Sequence, residues 1–488
     1  MVDDISNQKK LDKIILDFKK ANYQKVIDDL CELKKKTNHF LISWYLGHAY
    51  FRIHNYSKAL ESIKKSIELK QPDILNLSFL AEIYLQINEY SEATKIFNRI
   101  LKIDSKNINS FFNLAKINLQ LGNIEEAKKL YKEILELEPL NFSVWYELIK
   151  IDKKYLTKDL IVDSKKIISH ENKVDLNFIY SKLILAENGK NLKNFEDEIN
   201  NLMLAHNHFF EIKKKAAAEE LNYYSNLLPA FIEKVKNSEF NPASTIRPIF
   251  IMGLPRSGTT LIENIITSSK NEILSGGETE ILSKVFFSKK IIYNYKSKEL
   301  LSNFSFNKKD FEELQSAIIS QYQEINLNIV DNIFTDKSLE NLLYYDLIEK
   351  IFPNAKFVYC KRNNLANFIG ILKVFLPNLL WSHSIDNIIV MMNLYNDKIN
   401  KLLLKKKKNF KIIELENFSN NPSELSKDLF NFLEMRWDEK ILDTFHNKEK
   451  LIKTVSNLQV RSSIKKHDLS YIKNYTPFLQ EFKLNRLV

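Results

Sequence analysis

Glycine is the residue this sequence nearly does without: there are eight in 488 positions, against 72 Lys and Arg and 61 Asp and Glu. Four of the eight, Gly253, Gly258, Gly276 and Gly277, fall inside one 25-residue window. A chain that avoids glycine elsewhere keeps it here for backbone reasons. Cysteine is scarcer still. Cys31 and Cys360 stand about 330 positions apart with no metal-ligand spacing, which excludes a disulfide framework and a zinc site and makes a reducing compartment the default. No run of about 18 apolar residues occurs, and the start MVDDISNQKKLDKIILDFKK lacks a basic stretch followed by an apolar one. Membrane spanning and secretion are therefore not expected, and a cytoplasmic location is.

Hydrophobic residues make up 44% of the chain and charged residues 27%, as in a globular protein, and the length is too great for one ordinary core, so two domains are expected. The formal charge of +11 would suit nucleic acid, an anionic surface or a polyanionic nucleotide equally, so charge alone does not choose. Basic residues are scattered among acidic ones, and the densest run, Lys405 to Lys408, reads as a helix end or a solvated face.

The first half repeats itself. An offset of 34 residues aligns Leu46-Gly47, Leu80-Ala81 and Leu114-Ala115, pairs Tyr50 with Tyr84 and Tyr56 with Tyr90, and places Ala59, Ala93 and Ala127 in register. Ile63, Phe97 and Tyr131 follow the same register, and Pro72 and Pro139 lie near repeat ends. Small residues recur where helices touch and large ones where neighbours leave a gap. The pattern is similar to tetratricopeptide repeats over residues 40 to 141. Residues 160 to 240 still read as helices, with apolar periodicity in Leu176 to Leu185 and Ile199 to Phe210, but the register is lost. The spans expected are helical repeats over 1–155, a helical capping and linking region over 156–245, and an α/β domain over 246–488.

That last span is organised around Pro248 to Glu263, which reads as a buried strand, a glycine-containing loop and the first turn of a helix, the arrangement that presents backbone N–H groups to an anion. Gly253 and Gly258 stand at P-loop spacing, but Thr259 occupies the place of the Walker A lysine, which disfavours an ordinary kinase or NTPase. The basic group is inside the loop, at Arg256. Three further strands are expected at Ile329 to Phe334, Lys356 to Cys360 and Phe410 to Glu414, separated by helices such as Leu339 to Ile351 and Ile388 to Leu404. The alternation argues for a parallel sheet, with ligands beyond the carboxyl ends of its strands. Those ends deliver Lys337 and Arg362.

GLPRSGTT after an apolar strand resembles the 5′-phosphosulfate loop of sulfotransferases, which use 3′-phosphoadenosine 5′-phosphosulfate (PAPS). DKSLENLLYYDLIEKIFPNAKFVYCKRNN and TVSNLQVRSSIKKHDLSYIKNY resemble the matching regions of bacterial repeat-linked sulfotransferases and, more distantly, tyrosylprotein sulfotransferases. The resemblance covers residues 246 to 480. It implies an α-solenoid followed by a P-loop-like α/β domain, with PAPS as co-substrate held by Arg256, Ser257, Gly258, Thr259 and Thr260. Arg362 falls on the 3′-phosphate arginine, a task suited to a planar fork of donors. Ser456 falls on the serine beside the sulfuryl group, followed by Gln459 and Arg461 in the closing segment. Lys337 falls on the family's lysine, and Glu278 on its proposed general base. His383 is a rival base without a matching motif.

Three positions depart from that pattern. Gly370 replaces a serine near the 3′-phosphate, with Lys373 or Asn367 as neighbours that could substitute. Glu280 replaces an arginine near the acceptor, and Leu415 replaces a tyrosine near the nucleotide. No strand-end acidic residue stands where a Mg²⁺-binding aspartate would, Asp336 reading as a turn residue, so no metal is expected. The expected activity is sulfuryl transfer to a hydroxyl or amine, possible on a protein or peptide docked by the repeats, with no nucleic acid and no membrane partner. A non-catalytic repeat scaffold with a degenerate nucleotide domain is the alternative from another class.

Overall fold

The computed structural model describes residues 2–70, 73–170, 175–236, 245–269, 273–288, 307–325, 327, 329, 333–445, 457–461, 463–464 and 466–481. Pro72 lies outside them. The chain forms two compact units, one of residues 1–118 with 281–291 and 313–329, the other of residues 119–280 with 292–312 and 330–488. No helix among the described residues is long and apolar enough to cross a membrane.

The first unit is a run of antiparallel helix pairs. Phe40–Arg52 pairs with Tyr56–Leu69, and Ile74–Gln86 with Tyr90–Ile103. Ala59, Ala81 and Ala93 are wholly buried, Ile63 and Phe97 almost so, as small and large residues must be when helices approach and gaps are filled. A Cβ at Gly47 would meet the Ala59 carbonyl and the Ile63 amide at 3.4 Å, ordinary contact that keeps the first pair close. The turns repeat as faithfully as the helices. His54 (φ 60°) and Asn88 (φ 68°) are left-handed, and Gly122 (φ 86°) continues the series at the same 34-residue interval. Two helices from the second half of the sequence belong to this unit, Ile281–Ser288 and most of Lys308–Glu324. Glu324 accepts from the Ser57 amide at 2.6 Å and its hydroxyl at 2.7 Å, and Gln321 Nε2 donates to the His54 carbonyl at 3.0 Å.

The second unit contains the sheet. Five parallel strands lie in the order β2-β3-β1-β4-β5, with β1 Pro248–Met252, β2 Leu274–Ser275, β3 Phe334–Asp336, β4 Lys356–Lys361 and β5 Phe410–Glu414. All five residues of β1 are buried, which is why the strand is a continuous apolar run. Ile249 and Ile251 pack with Ile262, Ile265, Ile413, Phe418 and Leu429, whereas Phe250 meets Phe352 and Phe357. Because β1 lies between β3 and β4, the order of strands reverses at its carboxyl end, where open α/β sheets bind ligands.

Of the strand expected at Ile329 to Phe334, residues 330–332 lie outside the described residues; β3 runs from Phe334 to Asp336, and the Ile329 amide donates to the Leu327 carbonyl. The expected helix over Leu339 to Ile351 is split into a 3₁₀ turn, Leu339–Leu342, and an α-helix, Tyr345–Ile351. Asp336 causes the tight turn by accepting from the Ser338 amide and Asn341 Nδ2, both at 2.8 Å. The helices Leu176–Asn191 and Phe195–Asn222 belong to the sheet-bearing unit. Glu198, 2% exposed, accepts from the Tyr475 hydroxyl and pairs with Lys373 at 3.4 Å, and Glu220 accepts from the Trp381 amide.

Candidate active site

The loop after β1 is built around close approaches. A Cβ at Gly253 would stand 2.4 Å from Ser257 Oγ and 2.6 Å from the Cys360 carbonyl. Gly258, in the left-handed region at φ 95°, caps the helix Thr259–Thr267, and a Cβ there would meet Leu415 Cδ1 at 2.7 Å. Arg256 is also left-handed, φ 69°, a conformation that costs a non-glycine residue about 1 kcal/mol and needs surrounding support. The support is present. Asn367 Nδ2 donates to the Pro255 carbonyl at 2.6 Å, Arg362 Nη1 to the Arg256 carbonyl at 3.0 Å, and Arg256 Nη2 to Gln459 Oε1 at 2.6 Å.

A cavity of about 410 Å³ opens beside this loop. Arg256, Gly258, Thr259 and Thr260 form one wall, Arg362 and Leu415 another, and Gln459, Ser463 and His467 come from the C-terminal segment. Burial, then the like charge of Arg362, lowers the Arg256 guanidinium to about 10, so it remains cationic at neutral pH. His467 is held below the ordinary histidine value by burial and by both guanidinia, against the opposing pull of Glu416. Ser257 Oγ is buried without a hydrogen-bond partner among the described residues, and Ser257 does not line this cavity. Two guanidinia and a helix N-terminus form a site that can hold a phosphorylated anion.

Arg256, Thr259 and Thr260 also border a second cleft, of about 230 Å³, whose other walls carry Glu278, Glu280 and Glu340. Behind Glu278 lies Lys337, fully buried, with its ammonium 2.7 Å from Glu278 Oε1 and 3.9 Å from Glu263 Oε2. Burial would lower this ammonium, but Glu278, Glu263 and Asp336 outweigh it and hold it above the ordinary lysine value. Glu263 Oε1 accepts from Thr335 Oγ1, the Gly277 amide and Ser275 Oγ, at 2.8, 3.0 and 3.2 Å. The Lys337 amide donates to the Gly277 carbonyl at 2.8 Å. Ser338 Oγ accepts from the amides of Thr279 and Glu280, and Thr279 Oγ1 donates to Asp336 at 2.7 Å. The loop carrying Glu278 is thus fixed on both sides by buried polar groups.

The structure therefore gathers Arg256, Thr259, Thr260, Arg362, Gln459 and Glu278 around two adjoining spaces, and places other residues elsewhere. Lys337 lines neither space and contacts Glu278 from behind. Arg461 does not border the nucleotide-sized cavity, because Nη2 donates to the Gln120 carbonyl at 2.7 Å. Ser456 lies outside the described residues. His383, 1% exposed, is no base for either cleft: Nδ1 lies 2.9 Å from His206 Nδ1, Nε2 lies 2.9 Å from the Leu376 carbonyl, and burial lowers it to about 3. Nor do Lys373 and Asn367 replace the serine missing at 370, since Lys373 donates to Tyr475 and Asn367 holds Pro255. Arg362 occupies that space, with Nη1 3.0 Å from where a Cβ on Gly370 would be. Asp336, Ser338 and Glu263 were not singled out as site residues from sequence. Only a carboxylate on the buried face of the first helix hinted at Glu263.

Residues 248–439 match the model of the sulfotransferase family, and residues 42–173 match that of the fourth ARM domain of tetratricopeptide repeat protein 21. An uncharacterized protein of Aquifex aeolicus (strain VF5) is 26% identical over 266 residues, 51% of this chain and 33% of that protein, so the match spans about a third of the relative's length. Among solved structures, the sulfotransferase domain from the Synechococcus PCC 7002 olefin synthase is similar over 50% of this chain and 97% of its own, with 16% identity and a TM-score of 0.32. A tetratricopeptide repeat protein from Parabacteroides merdae ATCC 43184 is similar over 64% of this chain and 99% of its own, with 15% identity and a TM-score of 0.31.

Proposed function

Residues 248–439 form a domain of the sulfotransferase family in a chain that also carries helical repeats, and from that premise we propose that the protein moves a sulfuryl group from PAPS to an acceptor hydroxyl. The observation that carries this reading is the wall of Arg256, Thr259 and Thr260 shared by two spaces, one reaching Arg362 and the other Glu278. A donor anion in the larger space and an acceptor in the smaller would meet at that wall. PAPS supplies an activated sulfuryl group on a phosphate leaving group.

Arg362 would fix the nucleotide's 3′-phosphate by paired hydrogen bonds, and the helix N-terminus with Thr259 and Thr260 would hold the 5′-phosphate. Arg256 faces both spaces and would stabilise charge on the transferring group, the contribution expected to dominate where catalysis is positioning and electrostatics. Glu278 would take the acceptor's proton as the new S–O bond forms and the bond to phosphate breaks. Lys337 would hold Glu278 in place through their 2.7 Å contact. An acceptor on a protein or peptide brought by the repeats belongs to the same reading.

The test is calorimetry with 3′-phosphoadenosine 5′-phosphate, with ATP as control. Binding that requires the 3′-phosphate and is lost in Arg362→Ala supports the reading. Equal binding of ATP, or binding indifferent to Arg362, sinks it.

A further inference from the structure

The smaller cleft differs in charge from the larger. Where the larger presents Arg256 and Arg362, the smaller presents Glu278, Glu280 and Glu340 opposite the single guanidinium of Arg256. Lys337, behind Glu278, brings one more positive charge that the carboxylates exceed by one. Burial pushes the carboxyl of Glu220 up to about 7 against the hydrogen bonds from the Trp381 and Leu380 amides, with a smaller contribution from Glu280. The remaining walls are mixed, with Leu339, Leu376, Pro377 and Leu379 beside Ser338 and Asn378. Thr259, 5% exposed, borders the cleft and brings a hydroxyl-bearing side chain to its wall. A ligand here therefore has a polar contact waiting at one end and carboxylates along the sides.

Size narrows the ligand. Pockets for whole drug-sized molecules run from about 300 to 1,000 Å³, and this cleft, at about 230 Å³, is smaller. It suits the hydroxyl-bearing end of an acceptor and one group beside it.

We propose that the acceptor is cationic: a hydroxyl compound whose neighbouring ammonium or guanidinium group is received by Glu280 and Glu340 while the hydroxyl faces Glu278. The inference rests on the transfer reading only for the direction of the hydroxyl; the charge preference belongs to the cleft itself. Glu280 is placed for the task by its left-handed backbone, φ 53°, and by the hydrogen bond from its amide to Ser338 Oγ at 2.9 Å. Opposite charges attract more strongly between low-dielectric walls than in water, so the preference is expected to exceed that of an exposed pair.

The experiment compares two phenols of similar size, tyramine and 4-hydroxyphenylacetate, binding to the full chain. Ligand NMR gives both dissociation constants with and without saturating 3′-phosphoadenosine 5′-phosphate. Tyramine is expected to bind on the order of tenfold more tightly, the preference falling below threefold in Glu280→Gln and reversing in Glu280→Arg. Glu340→Gln is the second variant, and nucleotide affinity unchanged in Glu280→Gln shows that the loop remains folded. Equal affinities, a preference for the carboxylate, binding of neither phenol, or a preference untouched by Glu280 overturns the proposal. If the amine is preferred but the nucleotide does not bind, the transfer reading fails and the cationic cleft stands.

Discussion

Glu263 Oε1 lies 3.0 Å from the Gly277 amide, so a carboxylate on the first helix after the anion loop holds the residue next to Glu278. The same side chain reaches Lys337 with its other oxygen, at 3.9 Å. One buried group thus ties the helix, the β3 end and the Glu278 loop together.

Replacing Glu263 by Gln keeps the shape and removes the charge. Lys337 would then have one carboxylate fewer in a buried setting, a change expected to cost about 1–3 kcal/mol of stability. Turnover is expected to fall at least tenfold, with the nucleotide dissociation constant moving less than threefold, because Glu263 borders neither cavity. Chemical denaturation and steady-state kinetics check both numbers.

Glu278→Gln is expected to lower kcat by two to four orders of magnitude, the usual range for loss of a general base, while product nucleotide binds as before. Radiolabelled sulfate transfer and calorimetry on the same preparation separate the two. Turnover at the parent rate would remove Glu278 from the mechanism and reopen the scaffold alternative.

Gly370→Ala sets stability against binding. Alanine favours the helix Asn364–Leu372 by up to about 1 kcal/mol, yet its Cβ would stand 3.0 Å from Arg362 Nη1 and 3.3 Å from Arg256 Cβ. Arg362 must shift and loosen its bond to the Arg256 carbonyl. The expected outcome is a midpoint of thermal unfolding unchanged or raised, with nucleotide affinity reduced about fivefold, roughly 1 kcal/mol.

Acid should destabilise the second unit through its histidine pair. Burial lowers His206 to about 4 and His383 to about 3, His206 adding to the latter. Their unfolded values lie near 6.5, so their contribution to stability is complete above pH 6.5 and is lost as pH falls toward 4. At pH 5 each ring costs about 2 kcal/mol. His48 and His54, both lowered to about 4 chiefly by burial, add losses of similar size in the first unit. Unfolding free energies between pH 8 and 5 should show this slope, and His383→Gln should flatten it.

The repeats were legible because a 34-residue period repeats small, large and turn positions together, and Ala59, Phe97 and Tyr131 are buried as that period requires. The strands β1, β4 and β5 were legible from continuous apolar runs between turn signals. β2 was not, being two residues long at the sheet edge. The anion loop and Arg362 could be found from spacing and residue type. The polar network behind Glu278 could not, since Glu263, Thr335, Asp336 and Ser338 meet only when β1 and β3 pair and the 276–278 loop folds over them. His383 misled for the opposite reason: a histidine reads as reactive in sequence, and only packing shows both ring nitrogens engaged.

The two helical segments from the second half of the sequence that sit within the repeat unit have a practical consequence. The chain passes from one compact unit to the other five times, after residues 118, 280, 291, 312 and 329. No single cut between repeats and transferase domain can separate them cleanly, because a fragment starting near residue 246 would carry Phe286, Leu314, Ile318 and Tyr322, all buried here, without the helices of residues 1–118. Such a fragment is expected to aggregate, and grafting these repeats onto another enzyme would require moving three pieces of chain instead of one.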